Sequence, residues 1–404
     1  MDLISIIKYL DDPRREQGRI HSLESIMYIS IAAVIGGAES WNEVEEFGHL
    51  KEDFFASRIK GFSGVPSHDT FNRVFSLLDP MQLERCFRVW IKEICDSYKG
   101  VVAIDGKTVC GARTENPDGS FDKLHIVSAW ATANGISLGQ ERVKEKSNEI
   151  TAIPALIKAL DLSECTVTID AMGCQKEITS AIIEKGADYV ICLKKNQRKF
   201  HETVSRWFDD FQHKHVPPIR YQTFTTTDEG HGRYERRHCE VFCNGLLDLC
   251  FKGWEGLQSI VKLTSLRRDI KTGTESEEVR YYISSIDLDP ERILRSIRAH
   301  WGIENNLHWH LDVTFNEDST RKTKNAAANF SLLNKIALMV VKNSSKKGSL
   351  KAKRKAAGWD NKVLAQMLDE EWISDVSALL YIKILLSDKT RIVPQICARL
   401  SFCR

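Results

Sequence analysis

The chain has 404 residues, with 57 Lys and Arg against 55 Asp and Glu, so its formal charge is only +2. This near balance excludes a whole-molecule field for nucleic acid, and such a partner would have to be held by local patches. Its 11 cysteines include no C-x-x-C pair, which speaks against a zinc ribbon or disulfide framework and for reduced thiols in a cytoplasmic protein.

In chain order, residues 1–18 mix Asp, Arg and Glu and lack the apolar core of a signal peptide. The apolar stretch 26–35 is too short to span a bilayer, so no membrane is expected. Residues 1–98 read as a helical domain for DNA binding or association. Ser22 offers a cap for a helix that Gly36 and Gly37 stop, a second helix is predicted over 40–55, and Ser67 opens a third that Asp79-Pro80 breaks. A fourth runs over 81–98. Short helices with tight turns suit a helix-turn-helix, and equally a helical packing or dimerisation domain. From Val101 the pattern alternates. Strands are predicted over 101–105, 166–170 and 187–193, a hairpin over 125–143 around Asn134-Gly135, and helices over 152–160 and 175–185. Residues 217–286 are strand-rich, with a charged loop over 267–278, and a long helix resumes over 291–312. The α/β core therefore spans 99–216 and 287–345, interrupted by a β-rich insertion at 217–286 and followed by a basic segment and tail at 346–404.

Within this frame three carboxylates stand out. Asp105 follows the apolar run Val101-Val102-Ala103-Ile104, Asp170 follows Thr166-Val167-Thr168-Ile169, and Glu304 lies in the long helix. Ligands of open α/β sheets bind beyond the carboxyl ends of the strands, so the two aspartates and the glutamate can converge there. Carboxylates brought together repel: a pair ~4 Å apart costs on the order of 4 kcal/mol at an effective dielectric of about 20. Such a cluster needs protons or divalent cations, and oxygen ligands favour Mg²⁺ or Mn²⁺. A strand-end Asp taken alone is more often a loop cap. His300, Glu304 and His308 also share one helical face, which leaves a zinc site as a rival arrangement.

The segments Ala103-Ile104-Asp105-Gly106-Lys107, Thr168-Ile169-Asp170-Ala171-Met172-Gly173 and His300-Trp301-Gly302-Ile303-Glu304-Asn305 resemble the three motifs of bacterial DDE-type insertion-sequence transposases, in the branch of the H-repeat-associated proteins. Supporting stretches include Lys194-Lys195-Asn196-Gln197 and Leu311-Asp312-Val313-Thr314-Phe315-Asn316-Glu317-Asp318. The resemblance runs from about residue 5 to about 370. It implies an RNase H-like (retroviral-integrase-like) catalytic core, a catalytic and metal-binding triad of Asp105, Asp170 and Glu304, and Mg²⁺ as cofactor, with Mn²⁺ as a substitute. It also implies cleavage of terminal inverted repeats, strand transfer into target DNA, and a homodimer on paired ends. A catalytically decayed DNA-binding remnant of a mobile element is the alternative. Many relatives place Tyr and Arg shortly before the glutamate and Lys seven residues after it; this chain has His300 four before and Leu311 seven after.

The remaining candidates are basic. Lys342, Lys346, Lys347, Lys351, Lys353, Arg354 and Lys355 form a run with no acid between them, suited to sequence-independent phosphate contact or to a solvated face. Lys107, Lys194, Lys195, Arg233, Arg298, His300 and His308 are further expected DNA contacts. Trp301 and Trp309 read more readily as core than as base-stacking platforms.

Overall fold

The computed structural model describes residues 7–369 except 8–9, 18, 96–97, 116–120, 144–147, 215–219, 231 and 244–246. His231 and the tail beyond 369 lie outside the described residues. The N-terminal part is helical: α1 Leu23–Gly36, α2 Trp41–Leu50, α3 Glu52–Arg58, α4 His68–Leu77 and α5 Pro80–Ile94. Ser22 caps α1 through Ser25 N, and Gly37 closes it at φ 116°, a left-handed conformation that glycine adopts without steric cost. One expectation is corrected here: the helix over 40–55 is split at Lys51, which leaves helical geometry. Asp79-Pro80 separates the third helix from the fourth as expected, and also starts the fourth: Asp79 accepts from Met81 N, and Pro80 occupies the first turn, where no backbone donor is needed.

The sheet follows. Its strands are β1 Gly100–Glu115, β2 Phe121–Ala131, β3 Ile136–Arg142, β4 Cys165–Ile169, β5 Asp188–Leu193, β6 Arg220–Gly230, β7 Arg233–Cys243, β8 Ser259–Asp269 and β9 Glu275–Ser284, with helices α6 Glu149–Ala159, α7 Lys176–Glu184 and α8 Arg198–Lys214 between them. They form one nine-stranded sheet in the order β3-β2-β1-β4-β5-β9-β8-β7-β6. The first five strands have the RNase H-like arrangement, with β1, β4 and β5 parallel and β2 and β3 antiparallel. The strand-rich stretch expected as an insertion continues that sheet, because β9 pairs antiparallel with β5. The expected charged loop over 267–278 is mostly strand. Arg268 lies opposite Glu275 and donates to it at 2.6 Å, so these charges are cross-strand partners on a solvated hairpin.

The C-terminal part comprises α9 Pro290–Ile303, a π turn over Glu304–His308, α10 Trp309–Val313, α11 Lys324–Asn343, α12 Leu350–Trp359 and α13 Asn361–Asp369. Helix α11 is apolar on most sides and packs on both α1 and α4. Asn329 ties it to α4 by donating to the carbonyls of Phe75 and Leu78 at 2.8 and 2.9 Å. The N-terminal helices thus share one hydrophobic cluster with the sheet. Among the described residues no single helix is long and apolar enough to cross a membrane.

Candidate metal centre and its surroundings

Asp105 does not end its strand as expected. It sits in the middle of β1, at the point where the parallel pairing with β4 stops: Ile104 pairs with Ile169, so Asp105 and Asp170 occupy the next position on adjacent strands. Neighbouring strands run roughly 4.8 Å apart, which brings the two acids side by side. Asp170 also accepts from Met172 N at 2.9 Å, capping the short turn Ala171–Gly173. Glu304 comes from the opposite side, on the helical layer over the sheet.

The helix expected over 291–312 changes pitch where its chemistry lies. Glu304–His308 is a π turn, a wider coil often found at functional sites. Its first and last residues both face Asp105. Side-chain ligand atoms of Asp105, Glu304 and His308 all lie within 4.8 Å of one another. His308 Nδ1 is 3.5 Å from Asp105 Oδ2 and 3.7 Å from Glu304 Oε2, and its Nε2 is buried without a hydrogen-bond partner. Asp170 stands beside this group rather than inside it. His300 does not join either. Its Nδ1 lies 3.0 Å from Thr168 Oγ1, so the three-residue helical face of the zinc alternative is not assembled.

The electrostatics follow from the geometry. Burial, then the charges of Glu304 and Asp170, push the Asp105 carboxyl up to about 8. The adjacent His308 ring holds Glu304 below the usual carboxylate range, against its partial burial. Burial lowers His300 even though Asp170 and Glu304 attract a proton to it, so its ring is neutral at neutral pH. Among the described residues no Lys or Arg forms an ion pair with Asp105, Asp170 or Glu304. The group therefore suits a divalent cation: its donors are carboxylates with one imidazole, and they cannot all ionise unaided.

Two residues further along β1 the opposite situation holds. Lys107 Nζ is 2.7 Å from Asp312, 3.2 Å from Glu317 and 3.1 Å from Asp318, with its side chain only 11% exposed. Burial works against its charge, but the three acids raise its proton affinity above that of a free lysine. The same strand is clasped further along by the same loop. Cys110 N donates to Asp318 at 3.1 Å, and a Cβ at Gly111 would lie 2.2 Å from the carbonyl of Thr320. Lys107 is thus consumed by protein carboxylates, which corrects the expected phosphate contact.

The C-terminal basic run divides in the same way. Lys353 is buried and donates to the carbonyls of Val341, Lys342 and Ser344 at 3.2, 3.3 and 2.9 Å, closing the end of α11. Arg354 is buried too, donating to the carbonyls of Thr314 and Val34, so it joins α12 to α1. Both are corrected from DNA contacts to structural donors, because their positions on α12 face inward. Lys351 and Lys355 face solvent.

Lys194 and Lys195 are exposed just past the carboxyl end of β5, and Arg233 is exposed at the start of β7. Asn196 in the same loop donates to the carbonyl of Ala171 at 2.6 Å, fastening this basic turn to the Asp170 loop. Arg298 donates to Asp228 Oδ2 at 2.8 Å across to β6. Trp301 and Trp309, expected as core, are 47% and 52% exposed, flanking the π turn. The sequence reading puts His308 on one face with Glu304, as a DNA contact or part of the rival zinc arrangement, and does not place it against Asp105. It misses the second acid cluster, around Lys107, altogether, though not the first. The closely spaced Asp312, Glu317 and Asp318 were the visible signal for that cluster.

Comparison with known proteins bears on the whole chain. Residues 97–340 match the family model described as Transposase DDE domain, and residues 4–91 match the one described as DDE_Tnp_1-associated. The chain is 38% identical over 382 residues to "Putative transposase YncI" of Escherichia coli O157:H7, covering 91% of this chain and 94% of that protein. It is 36% identical over 380 residues to "H repeat-associated putative transposase YhhI" of Escherichia coli strain K12, covering 91% and 97%.

Proposed function

From a chain that belongs to the family of transposases with a DDE domain, we infer an enzyme that cuts and joins insertion-sequence ends by phosphoryl transfer on DNA. The observation that carries this reading is the convergence of Asp105 and Glu304, with Asp170 on the adjacent strand, in a group that lacks an ion-paired Lys or Arg among the described residues. A divalent cation held by Asp105, Asp170 and Glu304, Mg²⁺ with Mn²⁺ as a substitute, would activate the attacking oxygen and neutralise charge developing at the phosphate. Asp105 enters that role by releasing the proton it holds below a pH of about 8. His308 braces both carboxylates from the π turn, and His300, fixed on Thr168, lines the floor as a neutral ring. Water is the nucleophile in the first step and the freed 3′ hydroxyl in the second.

The partners in this reading are the element's terminal inverted repeats and target DNA, with a homodimer on paired ends. Lys194, Lys195, Arg233, Arg298, Lys351 and Lys355 are the cationic groups proposed to meet the DNA backbone, and His300 is proposed to border the scissile phosphate. The test is incubation of purified protein with labelled terminal DNA and Mg²⁺. Cleaved and joined products are expected from the natural chain. Asp105→Ala should abolish both while leaving DNA affinity within a few-fold. Binding without cleavage by the natural chain would instead support the decayed remnant, and parallel loss of binding and chemistry in Asp105→Ala would contradict the assigned role.

A further inference from the structure

The two edges of the nine-stranded sheet differ. At one end β3 is 7 residues long and mostly buried, with α5, α6 and α11 packed against it. At the other, β6 is 11 residues long, half-buried at best, and has no strand on its outer side among the described residues. Proteins blunt such an edge with Pro, Lys or a bulge, because its open N–H and C=O groups are a template for another strand. Residues 220–230 contain none of the three, and their charges, Arg220, Asp228 and Glu229, stand only towards the ends.

The turn fixes which backbone groups are open. β6 meets β7 across two residues, with Gly230 opposite Arg233, so that pair exchanges both of its backbone hydrogen bonds. Alternation then points the even-numbered residues of β6 at β7 and leaves the N–H and C=O groups of Tyr221, Thr223, Thr225 and Thr227 facing outward. A second β6 added antiparallel must therefore match odd positions with odd ones. Among such registers, the one centred on Phe224 makes the strand its own complement. Phe224 meets the partner's Phe224, Thr223 meets the partner's Thr225, Gln222 the partner's Thr226, Tyr221 the partner's Thr227, and Arg220 the partner's Asp228. Aromatic, threonine and opposite-charge pairs are the combinations that stabilise adjoining strands. Both charges keep atoms for this contact: Arg220 uses one guanidinium nitrogen on Asp287, and Arg237 and Arg298 both donate to Oδ2 of Asp228. Phe224 packs partly buried on the hydrophobic cluster under α9, which the partner's Phe224 would extend.

We propose that β6 is a dimerisation edge, on which two copies of this chain pair antiparallel about Phe224 and join their sheets into one. About eight backbone hydrogen bonds form across the twofold axis. That axis stands perpendicular to the sheet, so α9 and the candidate metal centre of both copies lie on the same face. The pairing needs no DNA, and it stands or falls separately from the DNA-processing reading.

Sedimentation of the full chain without DNA should show a dimer at micromolar concentration. Thr225→Pro removes an outward N–H and leaves the bonds to β7 in place, so it should raise the dimer dissociation constant at least about tenfold with unchanged circular dichroism. Thr225→Val should keep the dimer, and Arg220→Asp should weaken it more than Arg220→Lys does. Register is read by cross-linking, with the exposed Cys110 and Cys250 and the tail Cys397 and Cys403 replaced by serine. An equal mixture of Gln222→Cys and Thr226→Cys chains should form an intermolecular disulfide on oxidation, because a non-hydrogen-bonded pair brings the two β carbons within reach; neither variant alone should. A monomeric natural chain, a dimer indifferent to Thr225→Pro, or a mixture no more cross-linked than its parts overturns the edge. If Thr225→Pro fails to fold, the cysteine pair decides. DNA cleavage by a chain that stays monomeric would sink the edge alone, and a dimer that leaves terminal DNA uncut would sink only the DNA-processing reading.

Discussion

Two groups of three carboxylates face the same side of β1, and they have opposite fates. Asp312, Glu317 and Asp318 surround Lys107, which supplies the cation they need from within the protein. Asp105, Asp170 and Glu304 lie two residues away and have no lysine or arginine paired with them among the described residues. The first group therefore holds elements together, joining β1 to the loop that follows α10. The second carries a charge conflict, recorded in the raised proton affinity of Asp105, which the fold leaves to an external partner. An acidic cluster is a structural or a functional feature according to whether its counter-charge is built in.

The sharpest way to break this contrast is to remove one acid from the second group. Glu304→Gln should cut DNA cleavage by at least about 10³-fold, roughly 4 kcal/mol in barrier, with folding retained in circular dichroism. A variant that keeps a tenth of the activity would move Glu304 out of the role. Next in size is the first group. Lys107→Met leaves three acids without their lysine and should destabilise the protein by about 3 kcal/mol in chemical denaturation. Added Mg²⁺ should then raise the melting temperature of Lys107→Met more than that of the natural chain, because a second cation-seeking cluster has been created. An equal Mg²⁺ response in the two proteins would refute the equivalence of the clusters.

The pH dependence gives a smaller, signed effect. A carboxyl whose folded value is raised to about 8 binds more protons folded than unfolded, so its contribution to stability falls as pH rises from about 4 towards 8 and is flat beyond. In cation-free buffer the natural chain should lose stability across that window relative to Asp105→Asn. The variant should be more stable near pH 9 by on the order of 1–2 kcal/mol. Mg²⁺ should erase most of the difference, and the apparent Mg²⁺ affinity of the natural chain should rise with pH up to about 8. A parallel pair of melting-temperature curves would show that Asp105 carries no such strain. The smallest effect separates the C-terminal cations. Lys351→Ala should leave stability within about 0.5 kcal/mol while lowering the salt slope of DNA binding by about 0.9. Lys353→Ala should do the reverse, destabilising the fold through the carbonyls it now satisfies.

Much of the architecture was readable residue by residue. The β-branched runs at 101–105 and 166–170 became strands, Ser22 and Ser67 became caps, and Gly37 became a left-handed stop. These features depend on neighbours within a few positions, where propensity and capping act. Reading failed where partners are distant. The stretch 267–278 reads as a loop because its charges hide the alternation of a solvated hairpin, and Lys353 and Arg354 read as phosphate contacts or a solvated face because a basic run carries no sign of the carbonyls waiting for it. The π turn at Glu304 is likewise invisible in the helical periodicity on either side of it.

The amino-acid order by itself therefore determined the alternating core, the identity of Asp105, Asp170 and Glu304 as candidates, and the family to which they point. Only the tertiary structure decided which acids receive a lysine and which do not. Lys107 and Glu317 are 210 positions apart, and the balance of charge between them is set by strand register and helix packing. Electrostatic energy depends on distance in space and on burial, and neither is a property of position along the chain.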